Sequence, residues 1–266
     1  MLTRAITGFF FIIVLIGAIF LGAQVFVAFF SLVGLWCLYE FYGIVRSEQV
    51  HPNVLLGLLA AFVLSLLSGL HCLGFLPFVK VWGFVPFIAF IFIAALYQKR
   101  SSPFHDIAYS LLGITYACVP FLFFVGLGFV KGNYNPYIPL GFLIMLWAND
   151  TGAYLSGRSF GKHKLFERIS PNKTWEGFIG GVVLAVVIAL NLEQYFGTLA
   201  MWQWASMAVI IGVFGTLGDL VESMLKRSLG VKDSGNILPG HGGLLDRFDG
   251  LLIAAPLVFV FLLMVL

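Results

Sequence analysis

The chain is written almost entirely in long apolar runs broken by short polar ones. A helix needs roughly 20 apolar residues to cross about 30 Å of hydrocarbon. Nine stretches qualify, at 5–22, 24–45, 54–71, 77–97, 106–130, 137–157, 176–196, 203–223 and 249–266. The first two run together. As one helix they would be about 60 Å long, twice the bilayer, so a turn is expected near Gly22-Ala23-Gln24. Arg4 gives the first run the look of a cleaved leader, but no small-residue cleavage site precedes a polar start, so it is read as a span.

The basic residues orient these spans. With the N-terminus in the cytoplasm, 13 of the 15 Lys and Arg residues fall on the cytoplasmic side; Lys80 and Lys131 are the exceptions. The expected fold is an all-α integral membrane protein of about nine transmembrane helices, N-terminus cytoplasmic and C-terminus extracytoplasmic. Residues 1–266 form a single polytopic unit. Residues 1–135 read as apolar scaffold, dimer and lipid-facing helices, and 136–266 as catalytic helices with their cytoplasmic loops. Composition agrees: 61% of residues are hydrophobic and 10% charged, against roughly 25% charged in a soluble domain. A net charge of +3 without a clustered basic face excludes nucleic acid as a partner. Cys37, Cys72 and Cys118 are scattered through apolar runs, which excludes a disulfide framework or a metal knuckle.

Chemistry concentrates in the second half. Loops of about 157–175 and 224–248 are rich in Gly, Lys, Ser and Asp, and Asp150, Glu176, Asp219, Glu222, Asp246 and Asp249 lie at the cytoplasmic ends of spans six to nine. Carboxylates near a membrane span mark functional sites. In "FGTLGDLVESMLKR" (214–227), Asp219, Glu222 and Lys226 form one helical stripe, and Gly212, Gly215 and Gly218 recur every third residue, so another helix can approach closely. A salt-bridged helix end explains Glu222 and Lys226. It does not explain Asp219, which has no basic residue one turn away.

In "GHGGLLDRFDG" (240–250), Asp246 and Asp249 are three apart on the ninth span. Asp219 and Asp246 come from different helices. Two carboxylates converging at a membrane lip need a cation between them, and oxygen ligands select a hard ion such as Mg²⁺. Arg247 and Lys232 suit phosphate oxygens. His241 is either a phosphate contact or a loop histidine with no task, and its glycine neighbours would let a polyphosphate reach backbone N–H groups. In "NDTGAYLSGRSFGKHKLFERISPNKTWEGFIGG" (149–181), Asp150, Tyr154 and Gly157 share a helix face. Ser170, Lys173 and Thr174 precede a helix start with Glu176 in its first turn, a ready anion site. Attraction to anionic lipid accounts for part of Lys162, Lys164 and Arg168. These features describe a membrane enzyme that handles phosphates.

"SMLKRSLGVKDSGNILPGHGGLLDRFD" (223–249) resembles the signature of the phosphatidate cytidylyltransferases, also called CDP-diacylglycerol synthases. The matching positions are Ser223, Lys226, Arg227, Lys232, Asp233, His241, Gly242, Gly243, Asp246, Arg247 and Asp249. "SPNKTWEGFIGG" is similar to the family as well, so the specific likeness covers about 149–181 and 212–250. The resemblance implies that CTP and phosphatidate give CDP-diacylglycerol and pyrophosphate. It implies a metal pair on Asp219 and Asp246, Mg²⁺ with room for a second cation such as K⁺, and a homodimer. Catalytic roles fall to Asp219, Asp246, Lys226, Arg227, Lys232 and Arg247. Substrate contacts fall to Asp150, Ser170, Lys173, Thr174, Glu176, Ser223, Asp233, His241, Gly242, Gly243 and Asp249. The expected location is a bacterial cell membrane with the site facing the cytoplasm.

Three other readings are weighed. A sister enzyme could load CTP onto another lipid phosphate, such as an ether lipid. An ion-coupled transporter predicts midplane polar residues and a pseudo-symmetric chain; here the acidic residues cluster on one side and no inverted repeat is seen, so it ranks low. A CDP-alcohol phosphotransferase requires an aspartate-rich pattern absent here. An alkaline-phosphatase fusion after Leu266 is expected to be active, since that enzyme folds only outside the cytoplasm. An inactive fusion overturns the nine-span layout.

Overall fold

The structure is a computed structural model describing residues 2–237 and 242–266, with side chains described from Thr7 onward. Among these residues nine helices follow one another: α1 (Leu2–Phe20), α2 (Ala23–Val45), α3 (Val54–Cys72), α4 (Phe78–Leu96), α5 (Pro103–Leu127), α6 (Tyr137–Phe160), α7 (Trp175–Phe196), α8 (Met201–Ser228) and α9 (Leu245–Val265). The nine apolar runs all reappear as helices, because in lipid a spanning segment must satisfy its backbone within itself. Seven of them, α2 to α5 and α7 to α9, are long and apolar enough to cross a membrane. In α1 the residues with described side chains, Thr7–Phe20, are apolar and helical. The protein is an all-α, multi-pass integral membrane protein.

The breaks follow local chemistry. Between α1 and α2 the chain turns at Gly22, whose φ of 109° excludes most side chains. Asn53 caps α3 by accepting from the Leu56 N–H at 3.1 Å. α4 opens with a 3₁₀ stretch, Phe78–Phe84. α5 widens into a π turn at Ile114–Cys118, just ahead of Pro120, which has no N–H for the helical ladder.

One feature departs from the all-α expectation. Strands β1 (Lys164–Phe166) and β2 (Ser170–Thr174) form an antiparallel hairpin, with Lys164 opposite Thr174 and Phe166 opposite Ser170. Its backbone pairs within itself, and the Lys164 Nζ donates to the Pro171 carbonyl at 2.6 Å. The strands are too short and polar to show an alternating hydrophobic pattern.

The chain divides into two compact units, Met1–Val125 with Leu229–Arg247, and Gly126–Ser228 with Phe248–Leu266. The first division thus falls near 126, and the segment 229–247 belongs with the N-terminal helices. In the first unit Phe26, Phe30 and Phe124 form a buried aromatic cluster, with Phe30 and Phe124 centroids 4.8 Å apart. In the second, buried Trp204 lies against Gly141. There the Lys131 Nζ donates to the Thr198 carbonyl at 2.7 Å, which joins the loop after α5 to the loop after α7. A nine-span layout places both loops on one side.

Glycine lets the helices of the second unit meet backbone to backbone. A Cβ on Gly152 of α6 would lie 2.8 Å from the Gly180 carbonyl oxygen of α7. One on Gly218 of α8 would lie 2.6 Å from the Asp249 carbonyl oxygen of α9. The triplet-spaced glycines of α8 therefore do what their spacing suggested. Gly218→Ala is expected to destabilise the protein by about 1–3 kcal/mol through overpacking. Gly43→Ala, where nothing lies within 4 Å, should be neutral or mildly stabilising. Thermal unfolding in detergent compares them, and equal melting temperatures would refute the close contact.

Candidate active site

In the second unit a cleft of about 340 Å³ opens among α6, the hairpin, α7 and α8. α6 contributes Asp150, Tyr154 and Gly157, the three residues expected to share a face. The hairpin contributes Ser170, Asn172, Lys173 and Thr174, and α8 contributes Thr216 and Asp219. Thr174 is the N-cap of α7, its Oγ1 accepting from the Gly177 N–H at 3.2 Å. The cleft thus holds a cation, two carboxylates and a helix N-terminus, beside the apolar side chains of Leu165 and Phe178.

Lys173 and Asp219 form its central contact. Lys173 Nζ lies 2.5 Å from Asp219 Oδ2, and both side chains are half-buried. Ser223, one turn along α8, donates from Oγ to Asp219 Oδ1 at 3.3 Å. Asp219 indeed lacks a basic neighbour on its own helix; the hairpin supplies one. Glu176 sits in the first turn of α7 as expected. Its carboxylate accepts the Lys162 and His163 N–H groups at 3.1 and 3.2 Å and meets His163 Nδ1 at 2.6 Å. These contacts make it an anchor for the chain entering the hairpin. His163 was not singled out from sequence, and no spacing pointed to it.

The other acidic residues crowd nearby. Glu222 is fully buried, with Lys226 Nζ 2.9 Å away, the salt-bridged helix end that the spacing suggested. Asp249 lies in the electrostatic field of Asp219, Glu222 and Asp150. Like charges gathered at a helix end favour an added cation. Among the described residues no group of three His, Cys, Asp or Glu side chains converges on one metal position. Mg²⁺ does not need one: it is commonly held by one or two carboxylates, waters and substrate phosphates. Asp219 is the carboxylate of the cleft that would hold such an ion, in place of the Lys173 ammonium on its Oδ2.

In the first unit Ser234 and residues 243–245 gather on two carboxylates. Asp246 Oδ2 accepts the Ser234 N–H at 2.9 Å, the Ser234 hydroxyl at 3.0 Å and the Gly243 N–H at 2.9 Å. Glu40 of α2, buried, accepts the Leu244 and Leu245 N–H groups at 3.1 and 2.9 Å. Gly243 therefore gives its N–H to a carboxylate of the protein, and a Cβ there would strike Ser234 and Glu40. Gly242 has a φ of 80°. Lys232, Asp233 and Arg247 are exposed in this unit, and Arg227 is exposed in the other. His241 lies outside the described residues. Glu40 was missed from sequence, although a lone carboxylate inside an apolar run is itself a signal.

Residues 2–265 match the cytidylyltransferase family. A phosphatidate cytidylyltransferase of Staphylococcus aureus is 38% identical over 99% of both chains. One of Staphylococcus epidermidis is 34% identical over 99% of both. One of Staphylococcus haemolyticus is 43% identical over 66% of this chain and 68% of its own. The chain belongs to the cytidylyltransferase family. It is a nucleotidyltransferase, and the likeness takes in the N-terminal helices as well as the signature stretches. In this cytidylyltransferase, Lys173→Met should lower kcat/KM for CTP about 10- to 100-fold, the weight of a charge-assisted contact. The melting temperature should change little, since the pair is half-exposed. Initial rates beside thermal unfolding test this; an unchanged rate removes Lys173 from the site.

Proposed function

We propose that this cytidylyltransferase transfers the cytidylyl group of CTP to phosphatidate, giving CDP-diacylglycerol and pyrophosphate. Carrying this reading is the whole-length likeness to relatives named phosphatidate cytidylyltransferase, with every signature position filled. A phosphate oxygen of phosphatidate attacks the α-phosphorus of CTP in line. A phosphate monoester is largely ionised at neutral pH, with a second pKa of about 6, so no strong general base is needed. Positioning and charge neutralisation remain.

The protein's own groups supply them. Lys173, beside the α7 N-terminus, takes phosphate oxygens in the cleft. Lys226, Arg227, Lys232 and Arg247 take the remaining phosphate charge, Arg247 by a planar fork. Ser170, Asp150 and Asp249 complete the substrate contacts, with Gly242 and Gly243 shaping the loop. Asp219 and Asp246 would be the residues to hold the divalent cation that the signature implies, and such a cation would supply Lewis-acid stabilisation of the transferring phosphoryl group. Phosphatidate stays in the bilayer because exposing its acyl chains costs about 0.8 kcal/mol per CH₂, so the reaction sits at the membrane lip. A cytoplasmic face of a bacterial cell membrane, where CTP is available, and a homodimer complete the proposal.

The test is purified protein with CTP, Mg²⁺ and either dioleoyl phosphatidate or a dialkyl-ether analogue. CDP-diacylglycerol and pyrophosphate are expected in equal amounts. Turnover of the ether lipid with none of phosphatidate would overturn the lipid assignment. Asp219→Asn should lose at least about 100-fold, since metal stabilisation is worth several kcal/mol. Unchanged rate and Mg²⁺ dependence would remove Asp219 as a metal ligand.

A further inference from the structure

Glu40 stands apart from the acidic residues at the ends of α6 to α9. It lies near the end of α2, in the first unit, and is only 7% exposed. A carboxylate buried in an apolar helix is costly unless its oxygens are satisfied, and here both are. Oε1 accepts Trp36 Nε1–H at 3.1 Å and the Leu244 N–H at 3.1 Å. Oε2 accepts the Leu245 N–H at 2.9 Å and lies 3.3 Å from the Ser234 hydroxyl.

The two backbone donors stand at the start of α9, whose first N–H groups have no partner within the helix and carry the positive end of its dipole. Glu40 thus caps α9 from a helix some 200 residues away in sequence. The Ser234 hydroxyl stands between Glu40 Oε2 and Asp246 Oδ2, at 3.3 and 3.0 Å. Gly235 and Gly243 both press on the Glu40 carboxylate, where a Cβ would collide. Asp246 is in the first turn of α9, so whatever fixes that turn fixes its carboxylate.

We infer that Glu40 is a positioning residue: its carboxylate caps α9 and thereby aims Asp246. The functional half of this rests on the reading of Asp246 as part of the catalytic loop; the cap itself does not. One backbone N–H is bound to each oxygen, so the carboxylate is specifically required. Glutamine would turn an amide N–H₂ toward one of the two donors, and should fail as alanine does.

The experiment compares wild type, Glu40→Gln, Glu40→Ala and Trp36→Phe as the full chain in nanodiscs. Hydrogen exchange of the peptide covering 242–250 reports the cap. Cytidylyl transfer against Mg²⁺ concentration reports the aim of Asp246. In both Glu40 variants the Leu244 and Leu245 amides should exchange at least about tenfold faster. The rate should fall about 10- to 100-fold, as when a group supporting a metal ligand is lost, with a raised Mg²⁺ half-saturation. Trp36→Phe removes one contact of four and should stay within about threefold of wild type in both. Wild-type exchange in Glu40→Gln overturns the cap. Faster exchange with unchanged rate and Mg²⁺ half-saturation overturns the positioning role. If wild type makes no CDP-diacylglycerol, the functional reading fails while exchange still decides the cap. Should the Glu40 variants not fold, Ser234→Ala removes only the hydroxyl between the carboxylates; a smaller change in the same direction supports the proposal, and none overturns it.

Discussion

The ion pair between Lys173 and Asp219 crosses the cleft of the second unit and sets its charge. At 2.5 Å it ties the hairpin to α8, and both residues line the hollow it crosses. A carboxylate at a membrane lip needs a partner, and Asp219 finds one off its own helix. The hairpin can deliver Lys173 because Glu176 holds the chain at Lys162 and His163 and Thr174 caps α7. The helices can stand close enough because their touching faces are glycine. Remove the small residues and the distance grows; remove the hairpin and Asp219 loses its cation.

The first unit solves the same problem with neutral donors. There the partners of the carboxylates are N–H and O–H groups, which Glu40 and Asp246 take from Ser234 and residues 243–245. Charge is neutralised by cations in one unit and by backbone dipoles in the other. That contrast gives Gly243 a task within the protein: its N–H goes to Asp246, and a Cβ there would strike Ser234 and Glu40.

The helices were legible because lipid leaves the backbone one solution over an apolar run, and the break at Gly22 followed from bilayer thickness alone. The stripe of Gly212, Gly215 and Gly218 and the pairing of Glu222 with Lys226 were legible because both are local, set by helical periodicity. The hairpin was not, since its strands are three and five residues long and carry no alternation. Nor were the partners of Asp219 and Asp246, or the anchoring task of Glu176, because those contacts join distant segments. Glu40 could have been noticed as an odd carboxylate in α2, but its partners lie some 200 residues on.

On the function proposed above, the reacting phosphates of CTP bind in the cleft beside Lys173 and Asp219. Asn172 lines that cleft and is exposed, whereas Cys37 and Cys118 are buried. A single reactive thiol can therefore be placed there as Asn172→Cys in a Cys72→Ser background. The decisive measurement is its rate of maleimide labelling with and without CTP and Mg²⁺. Saturating CTP should slow labelling at least about tenfold, and Lys173→Met should abolish the protection. Equal labelling rates with and without CTP, in a protein that still turns CTP over, would contradict it.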